Sequence, residues 1–178
     1  MQPGLARSPD AFRDALETLH PASFAWALSC CHRNREVAAD VLQRAYEKVL
    51  SQEARWNERS SLKTWLFGVI LRTAQDHRRR EWFRRTRDVL FGIGNEVDNG
   101  KAPDSAMREA KEHQVLHGAL VQLAPRQREV IALVFQQDLS IAEAAAVMGV
   151  TLGSASVHYD RGKKKLLELL AREGIVRT

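Results

Sequence analysis

The feature of this sequence that most constrains its fold is a run of apolar residues at helical spacing that passes directly into a cluster of arginines. Leu62, Trp65, Leu66, Val69, Ile70 and Thr73 recur three and four residues apart, the interval that brings side chains onto one helix face and drives that face into a core. Ser60 or Ser61 can cap its start, because a hydroxyl accepts a hydrogen bond from a backbone N–H that the first turn leaves unpaired. Past Asp76 the apolar residues give way to Arg78, Arg79, Arg80, Arg84, Arg85 and Arg87 against Glu81 alone. Such a run is either a solvated helix end or a seat for a polyanion. Trp82 and Phe83 point to nucleic acid, since arginines neutralise phosphates with release of counterions and aromatic planes give an unstacked base a face to rest on. The alternative for both rings is a small satellite core beneath the following segment.

Upstream, Ser8-Pro9-Asp10 reads as a helix start, with Ser8 as cap and Asp10 at the positive end of the dipole. Phe12, Ala15, Leu16 and Leu19 form a stripe, which Phe24, Ala27, Leu28 and Cys31 continue beyond Pro21. Pro21 either kinks this helix or opens the next. After the polar turn His32 to Arg35, Val37, Val41, Leu42, Ala45, Tyr46, Val49 and Leu50 make an amphipathic helix, so a helical hairpin is expected. Its other side carries Asp40, Gln43, Arg44, Glu47 and Lys48, facing another protein or water. The polar stretch Ser51 to Ser61 holds one large apolar residue, Trp56, as a core anchor or a stacking platform.

Between Asp88 and Met107 periodicity dissolves into Gly92, Gly94, Asn95, Asp98, Asn99, Gly100 and Pro103, the composition of a linker. A second domain begins with a helix over about 106–123, capped by Asp104 or Ser105, whose apolar face holds Val115, Leu116, Ala119, Leu120 and Leu123. Pro125 opens a further helix with Val130, Ile131, Leu133 and Val134. Ser140 caps a helix bearing Ile141, Ala144, Ala145 and Met148, Gly149 turns the chain, and Thr151 opens a last helix through Ala155, Val157 and Tyr159 to Leu166 and Leu169. Small residues for close helix approach, a glycine free to take a positive backbone angle and short polar side chains at the second helix's start are helix-turn-helix grammar. Arg161, Lys163, Lys164 and Lys165, against Asp160, would fix that helix's register on phosphates.

Composition narrows the function. The chain of 178 residues is 44% hydrophobic and 28% charged, ordinary for a folded soluble domain or two. Lys and Arg outnumber Asp and Glu by 27 to 22, so the basic sequence pI of about 9.6 is a matter of patches. No apolar run is long enough to span a bilayer and Met1 to Asp10 lacks a signal-peptide core, so a cytoplasmic protein is expected. Adjacent Cys30 and Cys31 give no disulfide framework and suit a reducing compartment. With His20 and His32 nearby a metal or thiol sensor, which needs an accessible thiol of depressed pKa, is conceivable, but the spacing matches no closed zinc set and the segment reads as helix interior, so both cysteines are expected as buried or half-buried small apolar residues. No phosphate loop, nucleophile elbow or zinc-protease signature marks an enzyme, and no cofactor or metal is expected.

Taken in order, several segments resemble the extracytoplasmic-function, or group-four, sigma factors of the sigma-70 family. They are His20-Pro21 with its helix, Asp40-Val41-Leu42-Gln43 with Tyr46, Ser60 through Leu66, and Asp76-His77-Arg78-Arg79. After the linker come Leu123 through Val130, and Leu139-Ser140 through Gly149-Val150-Thr151. The resemblance implies an all-α chain of two small helical domains joined by a flexible linker. Residues 1–88 would bind polymerase and melt the minus-ten element, 89–106 would link, and 107–178 would be a four-helix domain reading the minus-thirty-five element. It further implies no catalysis, and as partners core RNA polymerase, through its beta-prime clamp and beta flap, promoter DNA and an anti-sigma factor, with no membrane insertion and no small-molecule substrate.

Position by position, the resemblance sets Asp40, Gln43, Arg44, Glu47 and Lys48 against the polymerase. It sets Trp56, Ser60, Ser61, Lys63, Arg72, Gln75, Arg78 and Arg79 at the minus-ten element. Thr151, Ser154, Ser156, His158, Arg161, Lys163 and Lys164 fall at the minus-thirty-five element. Gly162 stands where an alanine is usual, which weakens the helix by roughly 1 kcal/mol. The competing reading is a helix-turn-helix regulator that binds duplex DNA without being a polymerase subunit.

Overall fold

The computed structural model describes residues 9–90 and 109–173, with seven helices and no strand among them. The chain divides into two compact units, Met1–Asn99 and Gly100–Thr178.

In the first unit α1 (Pro9–Cys30), α2 (Arg35–Leu50) and α3 (Leu62–Leu90) each pack on the other two. The expected cap Ser8 lies outside the described residues. Pro21 opens no new helix, for α1 continues through it. Proline removes one intrahelical hydrogen bond, but Trp26 and Ala27 beyond it are fully buried, and that packing keeps the segment helical. The hairpin is therefore α1 and α2, with Cys30 ending α1 and Cys31 in the turn rather than inside a helix. Asn34 caps α2, its Oδ1 accepting the Val37 N–H at 3.0 Å. Ala38, Val41, Leu42, Ala45 and Val49 are its buried face, while Leu50, expected with them, is exposed in the final turn.

Helix α3 is capped by Ser61, whose Oγ accepts the Thr64 N–H at 3.1 Å. Its core is wider than the sequence stripe suggests. Thr64, Phe67, Leu71 and Ala74 are buried along with Leu62, Leu66, Val69, Ile70 and Thr73, whereas Trp65 is half-buried. Two helices grip α3 from different sides, so almost its whole circumference is covered. Trp26 of α1 lies against Phe67 with ring centroids 6.0 Å apart, and its Nε1–H donates to the Phe67 carbonyl at 3.1 Å. Among the described side chains of α3 the last buried one is Ala74, and the helix runs on to Leu90, two residues into the expected linker. The remaining linker residues, 91–106, lie outside the described residues.

In the second unit α4 (Glu109–Val121), α5 (Pro125–Phe135) and α6 (Ile141–Met148) all pack on α7 (Leu152–Arg172). The expected caps Asp104 and Ser105 and the first residues of the expected helix lie outside the described residues. Helix α4 stops at Val121 rather than Leu123, because the residue before Pro125 is extended (Ala124 φ −58°, ψ 146°). Leu123 is nonetheless buried in the turn, while Leu116 is partly exposed. Val130, Ile131, Ala132 and Leu133 carry α5 into the core. Ser140 caps α6 reciprocally with Glu143: Ser140 Oγ accepts the Glu143 N–H at 3.2 Å and Glu143 Oε2 accepts the Ser140 N–H at 2.9 Å. Gly149 ends α6 at φ +65°, a left-handed angle that glycine takes without steric cost. Gly162 has a packing reason: a Cβ there would lie 3.1 Å from Gln127 Cβ and 3.3 Å from the Gln127 carbonyl oxygen of α5.

Candidate nucleic-acid interface

The residues assigned from sequence to the polymerase form one surface. Asp40, Gln43, Arg44, Glu47 and Lys48 follow helical spacing on the side of α2 opposite its core, all exposed except half-buried Lys48. Gln43 Nε2 donates to Glu47 Oε1 at 2.9 Å. Lys48 reaches α3, pairing with Asp76 at 3.8 Å, and with Glu53, Ala54, Val69, Arg72 and Thr73 it lines a small cleft. It therefore stands at the border between the polymerase set and the minus-ten set.

The minus-ten set divides into three groups. At the start of α3, Trp56 is half-buried: its indole N–H donates to the Ser60 carbonyl at 3.0 Å and its ring lies 6.5 Å from that of Phe12. Trp56 thus anchors the loop to α1, and Ser60 and Ser61 are engaged in holding the loop and capping the helix. Further along, Arg72, Gln75 and Arg79 fall three and four residues apart on one side of α3, with Arg79 Nη2 held at 3.2 Å by Asp76. Lys63 and Arg78 form the third group: Arg78, three residues beyond Gln75, flanks that side, and Lys63 lies farther round the helix. Lys63 Nζ sits 5.6 Å over the Phe67 ring, and Arg78 lies near Cys31, where its charge favours the thiolate.

That influence is outweighed. Burial pushes the Cys31 thiol up from its ordinary value of 9.0 to about 11, and both cysteines are buried. A thiol sensor needs the reverse on both counts, so the sensor reading falls. The described residues hold no cluster of His, Cys, Asp and Glu arranged to bind a metal.

In the second unit Thr151 caps α7, its Oγ1 accepting the Ser154 N–H at 3.2 Å, and its hydroxyl donates to Ser154 Oγ at 3.0 Å. Arg126 of α5 secures the preceding helix, donating to Glu129 Oε2 at 3.0 Å and to the Met148 carbonyl at 3.4 Å. Ala155, Gly162 and Leu169, spaced by seven, are the buried line of α7, so its outermost line is Gly153, Val157, Asp160 and Lys164. The sequence set meets that line only in part. Lys164 is on it and Ser154 and Arg161 adjoin it, while half-buried Ser156 and His158 lie on opposite flanks. Ser156 Oγ donates back to the Leu152 carbonyl at 3.0 Å. Lys163 is exposed beside Ser156's flank. Val157 is apolar yet 46% exposed, because it sits about 200° around the helix from Ala155. Gly153 and Val157 are not in the set assigned from sequence; the seven-residue spacing of Ala155, Gly162 and Leu169 is the signal that locates the outward line they share.

Two helical units, each presenting an arginine- or lysine-bearing helix and one of them a helix-turn-helix, define a DNA-binding protein of the transcription apparatus. Residues 15–84 match Sigma-70 region 2 and residues 113–166 match Sigma-70, region 4. The chain is 28% identical to the RNA polymerase sigma factor CarQ of Myxococcus xanthus, over 93% of this chain and 95% of CarQ. It is 30% identical to the RNA polymerase sigma-E factor of Streptomyces coelicolor, over 76% of this chain and 73% of that one. Among solved structures it resembles the sigma factor RpoE of Bartonella quintana, determined with the anti-sigma factor NepR (27% identity, TM-score 0.70, 90% of this chain and 96% of that one). The chain belongs to the extracytoplasmic-function sigma factors of the sigma-70 family: it is an alternative sigma factor, a protein of transcription initiation.

Proposed function

We propose that this chain binds core RNA polymerase through the outward face of α2 and directs it to promoters by reading two DNA elements with its two units. Asp40, Gln43, Arg44, Glu47 and Lys48 meet the clamp. Arg72, Gln75 and Arg79 face the minus-ten element from one side of α3, with Lys63 and Arg78 on its flank and Trp56, Ser60 and Ser61 shaping the loop that adjoins the melting strand. Thr151, Ser154, Ser156, His158, Arg161, Lys163 and Lys164 lie along the minus-thirty-five element, joined there by Gly153 and Val157. The observation that carries this reading is that region 2 and region 4 match in order, one on each compact unit.

The chain contributes no chemistry of its own. Holding an unpaired base must offset an unstacking cost of a few kcal/mol, and two weak readers on one tether exceed either alone when their spacing is right. An anti-sigma factor holds the protein inactive in the cytoplasm, a reading supported by the RpoE–NepR complex. Run-off transcription with core polymerase, the chain and fragmented genomic DNA tests the proposal. Reproducible new start sites that require both proteins are expected; tight duplex binding indifferent to core polymerase would replace this reading with that of a conventional regulator.

A further inference from the structure

We infer that Asp76 is a positioning residue for promoter reading: its two carboxylate oxygens hold Lys48 of α2 and Arg79 of α3 at once, and so aim basic side chains along the minus-ten line. The inference deepens the sigma reading and rests on it. Oδ1 accepts from Arg79 Nη2 at 3.2 Å, and Oδ2 lies 3.8 Å from Lys48 Nζ. Each cation has its own oxygen, so neither displaces the other. The Arg79 side chain is 71% exposed; packing does little to fix it, and the hydrogen bond to Asp76 narrows the directions its guanidinium can take. Lys48 is held differently. Its side chain is 29% exposed, and it borders a cleft whose lining includes buried Val69 and Thr73. Partial burial of the stem restricts the head, which lowers the entropy cost that usually cancels a surface pair.

Position gives the carboxylate its role. Asp76 lies four residues beyond Arg72 and three before Arg79, within about 60° of both around α3. An acid at that place is a local liability on a surface that meets phosphates, since it repels them and cancels a cation. What outweighs the repulsion at a specific site is aim: a guanidinium already directed loses less freedom on meeting its target. Lys48 adds the link to α2, so one carboxylate joins the end of the polymerase-facing set to the DNA line. Aiming and repulsion predict opposite signs for the same substitution, which makes the two separable.

The test uses holoenzyme assembled from core polymerase and an excess of the full chain, on a promoter recovered by run-off transcription, with the free chain on a non-promoter duplex as control. Asp76→Asn keeps the shape and removes the charge. On the non-promoter duplex it should bind equally or more tightly, because the chain gains one net positive charge. On the promoter, holoenzyme should bind about two- to fivefold more weakly, the range an exposed ion pair allows, with the urea midpoint of the first unit unchanged. Asp76→Ala, which removes the acceptor as well, should weaken it at least as much, and Asp76→Glu, which keeps the carboxylate, should recover most of the loss. Lys48→Met should cost less in the Asp76→Asn background than in wild type, since its partner is already gone. Unchanged or tighter promoter binding by Asp76→Asn, equal weakening on both DNAs, or a lowered urea midpoint that accounts for the loss overturns the inference. Run-off transcription separates it from the sigma reading: wild-type start sites beside an indifferent Asp76→Asn remove the positioning role alone, whereas no start site with wild type removes both.

Discussion

Helices α3 and α7 carry the residues proposed to face DNA in their units, but they are held in opposite ways. Helix α3 is clamped by α1 and α2 and filled by large side chains, Trp26, Phe67, Leu66 and Ile70 among those fully buried, before leaving the core for its arginine-rich end. Helix α7 is buried along a line of alanine, glycine and leucine and lets α5 approach to within contact of the Gly162 backbone. The first arrangement extends a long cationic arm from a solid base. The second lays a short-sided helix close to its neighbours, so that one face stays open over much of its length. It follows that α3 is vulnerable to atoms removed and α7 to atoms added.

The largest effect should come from deletion at the α1–α3 contact. Trp26→Ala removes a fully buried ring together with the indole hydrogen bond to the Phe67 carbonyl, and should destabilise the first unit by about 3–5 kcal/mol. Urea unfolding followed by helical signal should show the loss in the first unit's transition alone. A cost below about 1 kcal/mol would mean that α3 is not clamped as described.

At the same junction the buried Cys31 makes stability depend on alkaline pH. Burial raises its thiol from 9.0 to about 11 in the folded state, with Arg78 opposing. Above pH 9 the unfolded chain releases this proton while the folded one retains it, so stability present below about 9 is lost as pH rises toward 11. Tyr46, also raised by burial, with Ser23 opposing, adds a loss in the same direction above its ordinary value of 10.0. Cys31→Ala should flatten the stability profile between pH 9 and 11 and leave the Tyr46 part. An unaltered slope would place the thiol in water.

The contrast between the two helices also explains what could be read in advance. Alternation of apolar and polar residues located α2 and its outward face correctly, since Asp40, Gln43, Arg44, Glu47 and Lys48 oppose a continuous apolar side. Capping residues placed the starts of α3, α6 and α7, because Ser61, Ser140 and Thr151 act through local hydrogen bonds that need no tertiary partner. Residues whose environment depends on a distant segment were misjudged. Thr64 looks like a surface position but is covered by the clamp, and Pro21 looks like a breaker but is overruled by buried Trp26 and Ala27. Arg78 and Arg79 look equivalent, yet one lies near Cys31 and the other is tied to Asp76. On α7, residue type alone does not separate Val157 from the core, for small Ala155 and Gly162 fix the packed side and leave Val157 outside it.

The smallest effects sharpen the comparison most, because two glycines on one helix should respond with opposite signs. Alanine is favoured over glycine inside a helix by roughly 1 kcal/mol. At Gly153 an added Cβ meets nothing within 4 Å, so Gly153→Ala should stabilise the second unit by up to about that amount. At Gly162 the Cβ would lie 3.1 Å from Gln127 Cβ, 3.2 Å from Ile131 Cγ1 and 3.3 Å from the Gln127 carbonyl oxygen. Two of those three atoms are the backbone carbonyl and the Cβ fixed to it, which no rotamer change can move, so α5 and α7 must part. Overpacking of this kind costs about 1–3 kcal/mol, which should more than cancel the gain and leave Gly162→Ala destabilised by about 1 kcal/mol. Parallel urea titrations of the two variants decide the matter, and a stabilised Gly162→Ala would show that α7 is held less closely than its small residues suggest. The same Gly153→Ala protein carries a second reading. A helix that forgoes a free gain in stability at an exposed position next to Val157 leaves room for something outside the chain, and the duplex lying on that face is the candidate. Promoter binding by holoenzyme should therefore weaken several-fold in a protein that is itself more stable, a combination that no loss of folding could produce.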